Sequence, residues 1–325
     1  MKNKPTISVV MSVYNGERYL REAIDSILGQ TFEDFEFIII NDASTDGSDG
    51  IIKKYDDPRI VLVYNEKNRG LTKSLNIGLE KACGKYIARM DADDVSLPQR
   101  FTRQVDFLND YQDHIAVGTF AHIIDAQGEF YREMPMPVTH EDVLIWLLQN
   151  CSIVHGSVMF RNGQDIRYDE EYVAAQDYEL WVRLLGEGKM IANVPEVLYL
   201  WRNHASSVTS ARFEMQSDLS RITADRHLNH IIRLKRYDYL LVASLLGIGL
   251  DEQKRMRILE AMKNWSHEIC IDQLTMRKAL YEYPISVSAV PKQVRELVAR
   301  CGWFTIIKWL CLRYSGLIFQ RLLNK

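Results

Sequence analysis

Tyr86-Ile87-Ala88-Arg89-Met90 runs straight into Asp91-Ala92-Asp93-Asp94, so that an apolar run delivers three carboxylates within four residues. A short apolar run of this kind is what a strand buried in a parallel sheet leaves in a sequence. Three like charges at that density repel one another unless a cation or a set of donors neutralises them. Asp91 and Asp93 flank the small Ala92. On an extended chain their side chains therefore leave the same face and can meet one metal ion, or one metal ion and one hydroxyl. The same residues also fit an acidic loop leading into a helix that starts at Pro98.

Upstream, Ile7 to Val13 is a second near-continuous apolar run, broken by Tyr14-Asn15-Gly16. Tyr19, Leu20, Ala23, Ile24, Ile27 and Leu28 then recur at helical spacing, with Asn15 placed to cap the start and Gly29 to end the helix. A third run, Phe35 to Ile40, leads into the turn-former cluster Asn41-Asp42-Ala43-Ser44-Thr45-Asp46-Gly47-Ser48 and a short helix through Tyr55. Ile60 to Tyr64 and a helix from Leu71 to about Ala82 complete the series. Strands alternating with helices in this way predict an α/β fold with a parallel, doubly wound, Rossmann-like sheet. Ligands of such sheets lie beyond the C-terminal strand ends. Tyr14, Asp42, Asn68 and the Asp91 to Asp94 cluster all follow strands, so they are expected to converge on one crevice.

Downstream, the pattern predicts a helix from Pro98 to about Asn109 and strands at Ile115 to Phe120 and Phe130 to Arg132. It continues with an amphipathic helix from His140 to Gln149, and with His155-Gly156 set between two apolar pieces. Asp177 opens a helix with Leu180, Trp181, Leu184 and Leu185 on one side. Met190 to Tyr199 reads as two short strand pieces hinged at Pro195. From about Arg212 strand signals nearly vanish, which divides the chain into residues 1–208 and a mainly helical 209–325. Tyr239 to Leu250, at 12 residues, is too short to cross a bilayer. Residues 291–325 carry seven Lys/Arg against the single acidic Glu296, or +6 where the rest of the chain is −9. Trp303, Phe304, Trp309 and Phe319 alternate there with Lys308, Arg313 and Arg321, a composition suited to an anionic membrane interface.

The 325 residues are 47% hydrophobic and 26% charged, an ordinary globular composition, and the net charge of −3 offers no whole-molecule attraction to nucleic acid. Five scattered cysteines without a CxxC pair argue against a zinc site or a disulfide framework and fit a reducing compartment. The apolar N-terminal run is too short for a signal peptide, so a cytoplasmic location is expected. No GxGxxG follows the first strand, which disfavours a dehydrogenase.

Five stretches together, in order and spacing over residues 5–205, resemble glycosyltransferase family 2 with the GT-A fold. They are Pro5 to Gly16, Gln30-Thr31-Phe32 with Asn41 to Ser48, Asn68-Arg69-Gly70 with Ser74-Leu75-Asn76, Asp91 to Asp94, and Gln176-Asp177-Tyr178-Glu179-Leu180-Trp181. The resemblance implies that Tyr14 and Asp42 hold the base of a UDP-sugar, Asp42 accepting from the uracil N3–H. It implies that Asn68 and Lys73 line the nucleotide and diphosphate. Asp91 and Asp93 resemble the family's DxD pair, serving the ribose and a Mn²⁺ or Mg²⁺ ion on the diphosphate. Asp94 would lie near the donor sugar or orient its neighbours. Asp177 resembles the general base that deprotonates the acceptor hydroxyl for direct displacement, which inverts the anomeric carbon to a β-glycoside. The basic tail adds an acceptor that is lipid-linked and an enzyme peripheral on the inner face of the plasma membrane, in surface polysaccharide synthesis.

Competing roles accompany these residues. Asp177 also suits a helix cap, Asp42 a plain turn, and Trp181 a core position. His155 and His204 are candidates for the acceptor site and for a metal or phosphate contact. A nucleotidyltransferase would need a basic, glycine-rich loop after the first strand, which Ser12 to Glu17 is not. A non-catalytic sugar-nucleotide or polysaccharide binder would use the same crevice without turnover, a reading against which the intact Asp177 weighs.

Overall fold

The computed structural model describes residues 4–148, 150–163, 166–205 and 213–233. The boundary expected at 205–212, the stretch Tyr239 to Leu250 and the basic tail 291–325 lie outside them. Two compact units are formed, one by Met1–His140 with Cys151–Thr223 and one by Glu141–Asn150 with Ala224–Lys325.

The first unit is built on a nine-stranded sheet. The apolar runs form β1 (Ile7–Val13), β2 (Phe35–Asn41), β3 (Ile60–Tyr64) and β4 (Tyr86–Asp91), with α1 (Leu20–Leu28), α2 (Ser48–Ile52) and α3 (Leu71–Lys81) between them. These four strands are parallel in the order β3-β2-β1-β4. Register aligns Val13 with Asn41, Asn41 with Tyr64, and Ser12 with Asp91, so the four C-terminal ends open on one edge.

Beyond β4 the sheet turns mixed. A two-residue β5 (Val95–Ser96) precedes α4 (Arg100–Asp110), then come β6 (His114–Ile124), β7 (Phe130–Met134), α5 (His140–Trp146), a 3₁₀ turn at His155–Ser157 and β8 (Met159–Arg161). Helix α6 (Gln176–Gly186), β9 (Met190–Arg202) and α7 (Phe213–Arg233) complete the described elements. The order continues β4-β8-β6-β9-β5, with β8 antiparallel to both neighbours and β6 parallel to β9.

Several expectations are corrected. Met190 to Arg202 is one strand, and Pro195 is absorbed where the register slips between Thr119–Val194 and Phe120–Val197. A bulge is where a residue lacking an N–H can sit in a ladder. Helix α4 starts at Arg100 because Val95 and Ser96 are held in β5 by Leu200 and Tyr199. Asn15 does not cap α1, whose cap position is Tyr19 without a side-chain bond.

Leu20, Ala23, Ile24 and Ile27 of α1, with Phe101, Val105 and Leu108 of α4, share a buried cluster with Val9, Met11, Phe37 and Ile39. Helix α3 covers the opposite face at Gly78. A Cβ there would lie 2.3 Å from Val10 Cγ1 and 2.9 Å from Ile40 Cδ1, so only glycine allows this close approach. Clamping α3 onto β1 and β2 fixes the loop Asn65 to Gly70 at the sheet edge.

Candidate active site

At that edge the loops after β1 and β2 are laced together. Asn15 N–H donates to Ser44 Oγ (3.1 Å), Gly16 N–H to Ser48 Oγ (2.9 Å) and Glu17 N–H to Asp46 Oδ2 (3.0 Å). In return Thr45 N–H donates to Asn15 Oδ1 (2.8 Å) and Gly47 N–H to Glu17 Oε2 (2.6 Å). Asn15 thus serves the partner loop, from a left-handed backbone (φ 52°). Among the described residues the other non-glycine positions of this kind are Ala43 (φ 58°) and Ala175 (φ 53°). Ala43 follows Asp42, and Ala175 is the cap of α6, two residues before Asp177. Strained backbone of this type costs on the order of 1–2 kcal/mol per residue and collects at functional sites.

Asp42 is 1% exposed and holds the third loop. Its Oδ1 accepts from Asn65 Nδ2 (2.7 Å) and Arg69 N–H (2.8 Å), and its Oδ2 from Gly70 N–H (2.9 Å). Tyr14 stands exposed beside it. Asn68 is exposed and accepts from Gly70 N–H at 3.0 Å. Lys73 is exposed in the first turn of α3, and its charge acts on Glu170.

The acidic stretch is neutralised largely from within. Asp91 Oδ2 pairs with Arg89 Nη1, and Arg89 is 2% exposed. Asp93 Oδ2 meets His204 Nε2 at 2.9 Å. Arg202, also buried, donates from Nε to the Asp93 carbonyl (2.8 Å), from its N–H to Asp94 Oδ1 (2.7 Å) and from Nη2 to Glu22 Oε2 (2.5 Å). Buried Arg100 donates to the Arg89 carbonyl at 2.6 Å. Burial, then the charges of Asp93 and Asp91, push the Asp94 carboxyl well above the ordinary range. Asp94 is thus 1% exposed, with its Oδ1 taken up by the Arg202 N–H.

Asp177 comes to the same place. It is the second residue of α6, whose cap position is Ala175, and its carboxylate accepts from the Tyr178 N–H at the start of the helix. Its Oδ2 is 3.5 Å from Cys151 Sγ, and burial raises its proton affinity while Arg89 works the other way. Asp177 and Asp91 are close enough that the charge of one raises the pKa of the other. The 3₁₀ turn completes the wall: a Cβ on Gly156 would stand 2.0 Å from Tyr199 Oη and 2.9 Å from Asp91 Oδ2. His155 Nε2 is bonded to Tyr168 Oη at 2.7 Å, and burial pushes its pKa well down, so it is a neutral part of the wall. Trp181 is fully buried, a core residue.

Among the described residues no group of three or more His, Cys, Asp or Glu is arranged to hold a metal. The Asp93–His204 pair nevertheless suits a divalent cation that takes one or two protein ligands and fills its shell with phosphate oxygens and water. Neither Arg89 nor Arg202 belongs to the motif stretches, yet both hold the acidic turn here. The signal for Arg89 was available, since a charge inside the apolar run Tyr86 to Met90 needs a buried partner.

Residues 8–166 match the family described as Glycosyl transferase family 2. An uncharacterized glycosyltransferase of Methanocaldococcus jannaschii, MJ1057, is 32% identical over 281 residues, covering 82% of this chain and 97% of the relative. The chain belongs to glycosyltransferase family 2. This family member is accordingly a glycosyltransferase, which sets aside the nucleotidyltransferase and non-catalytic readings. The amylovoran biosynthesis glycosyltransferase AmsE of Erwinia amylovora is 29% identical, covering 63% of this chain and 79% of the relative. The GT-A fold is shared with solved structures. TarS of S. aureus in complex with UDP-GlcNAc has a TM-score of 0.55 at 18% identity, covering 96% and 91% of the two chains. The mannosyltransferase PcManGT of Pyrobaculum calidifontis, in complex with GDP-Man and Mn²⁺, has a TM-score of 0.52 at 16% identity, covering 94% and 86%.

Proposed function

We propose that this glycosyltransferase moves a hexose from a UDP-sugar to a hydroxyl of a lipid-linked saccharide during surface polysaccharide synthesis, with inversion to a β-glycoside. The observation that supports this most is the placing of Asp177 within electrostatic reach of Asp91 at the end of β4. A base and a donor-binding carboxylate brought near one another suit in-line displacement. Tyr14 offers an exposed ring for the base, and one lone pair left on Asp42 Oδ2 suits a single N–H donor such as uracil N3–H. Asn68 and Lys73 border the nucleotide, and Asp91 takes the ribose.

Asp93, with His204 and Asp91 beside it, would hold Mn²⁺ or Mg²⁺. The ion, when bound, neutralises charge developing on the departing nucleotide. Asp177, ionised, takes the proton of the acceptor hydroxyl as that oxygen attacks. The relative named for amylovoran biosynthesis and the basic tail support a polymer-building acceptor at a membrane surface. In a transfer assay with a panel of nucleotide sugars and either cation, Asp93→Ala and Asp177→Asn are each expected to lose at least about 100-fold in kcat while keeping the wild-type melting temperature. Turnover near wild type in either variant sinks the assignment, and NMR of the product reads the anomeric configuration.

A further inference from the structure

Arg89 is a charged side chain in the middle of a buried strand, and its setting is unusually fixed. Its backbone N–H donates to the Val158 carbonyl at 2.9 Å, and its carbonyl accepts from Arg100 Nη2 at 2.6 Å. The residue is 2% exposed and its Nη1 forms an ion pair with Asp91 Oδ2, while neither Nε nor Nη1 has a partner of hydrogen-bond geometry among the described residues. Asp91 is closed in from the other side by Gly156, where no Cβ fits, and by Tyr199, whose hydroxyl accepts from the Asp91 N–H at 3.3 Å. Stability alone is a poor account of this pair. A buried ion pair with an unmet donor recovers its desolvation cost badly, and apolar residues of the same volume often serve a fold as well or better. A buried guanidinium does what an apolar residue cannot: it draws one oxygen of a carboxylate to itself and leaves the other to a ligand.

We propose that Arg89 is a positioning residue for the donor, fixing the Asp91 carboxylate by one oxygen so that the other faces the ribose of the sugar nucleotide. The inference rests on the reading of Asp91 as a donor ligand, and it extends the acidic motif inward to a residue two strand positions before Asp91 that carries no ligand contact itself. Asp91 Oδ2 is spent on Arg89, which leaves Oδ1 for ligand, and the side chain is still 28% exposed.

UDP binding by calorimetry, with melting temperatures, tests this across Asp91→Asn, Arg89→Met, Arg89→Lys and the double variant Arg89→Met/Asp91→Asn. Arg89→Met is expected to weaken UDP binding about tenfold or more, and Arg89→Lys, which keeps the charge on a differently shaped and more mobile head, by about threefold. In the Asp91→Asn background Arg89→Met is expected to add nothing, because both changes remove one interaction. Arg89→Met that binds UDP like the wild type, or losses that multiply in the double variant, overturns the positioning role. If Arg89→Met does not fold, the Lys variant and the double variant, which removes both charges, decide in its place: wild-type binding by the first, or weaker binding by the second than by Asp91→Asn, overturns it. Asp91→Asn with undiminished UDP affinity instead removes the donor-ligand reading on which the proposal stands.

Discussion

As the proposed base, Asp177 ties the pH at which the enzyme is expected to work to its own ionisation. Burial raises its pKa, and the base must be ionised to accept a proton, so kcat is expected to fall as pH drops through a value above the ordinary carboxylate range of about 4. Cys151, whose thiol is kept protonated by burial, favours the ionised Asp177 through its 3.5 Å contact. Cys151→Ala is therefore expected to move the acid limb of the kcat profile to still higher pH, and Cys151→Ser to restore it; identical profiles for all three proteins would show the thiol idle. Gly156→Ala drives a methyl into Tyr199 and Asp91, and overpacking of this kind costs about 1–3 kcal/mol, so lower melting temperature and lost UDP binding are expected together. At this scale the sequence marked Asp91, Asp93 and Asp177 only as members of a motif set. Spacing says nothing of which carboxylate meets which cation, so Arg202 and Cys151 became visible as site residues only once β4, β9 and α6 were brought together, whereas Arg89 announces a buried partner without naming it.

Elements formed by runs of apolar residues were legible; those formed by pairing partners were not. β1 to β4 and α1 to α3 follow from local pattern, because a strand buried on both faces must be apolar throughout. β5 is two residues long and exists because Leu200 and Tyr199 pair with it, and β8 is three residues inserted antiparallel between β4 and β6. Neither has enough length to show a period. In the second unit, α7 places fully buried His227 with Nε2 donating to the Leu144 carbonyl at 2.8 Å, and burial holds its pKa down to about 4. A histidine depressed in the folded state binds its proton more readily when unfolded. Its contribution, roughly 3 kcal/mol in total, is present above pH 6.5 and is lost as pH falls toward 4. Unfolding by urea at a series of pH values is expected to show that slope, and His227→Gln to flatten it.

Across the whole chain, the proposed membrane role belongs to residues 291–325, whose charge of +6 contrasts with −9 elsewhere. Sedimentation with anionic vesicles is expected to carry down the full chain but not one ending at residue 290, with the binding weakened by salt as screening shortens the reach of the cations. Equal sedimentation of both would remove the tail from the proposal. A different consequence follows from where the acidic turn finds its partners. Arg202 and His204, which hold Asp93 and Asp94, stand more than a hundred residues later, at and just past the end of β9. During synthesis the first four strands leave the ribosome before Arg202 and His204, the partners of Asp93 and Asp94, have been made. Nascent chains arrested before residue 202 should fold a parallel sheet that cannot retain nucleotide, and the capacity to bind should arise abruptly once the last strand emerges.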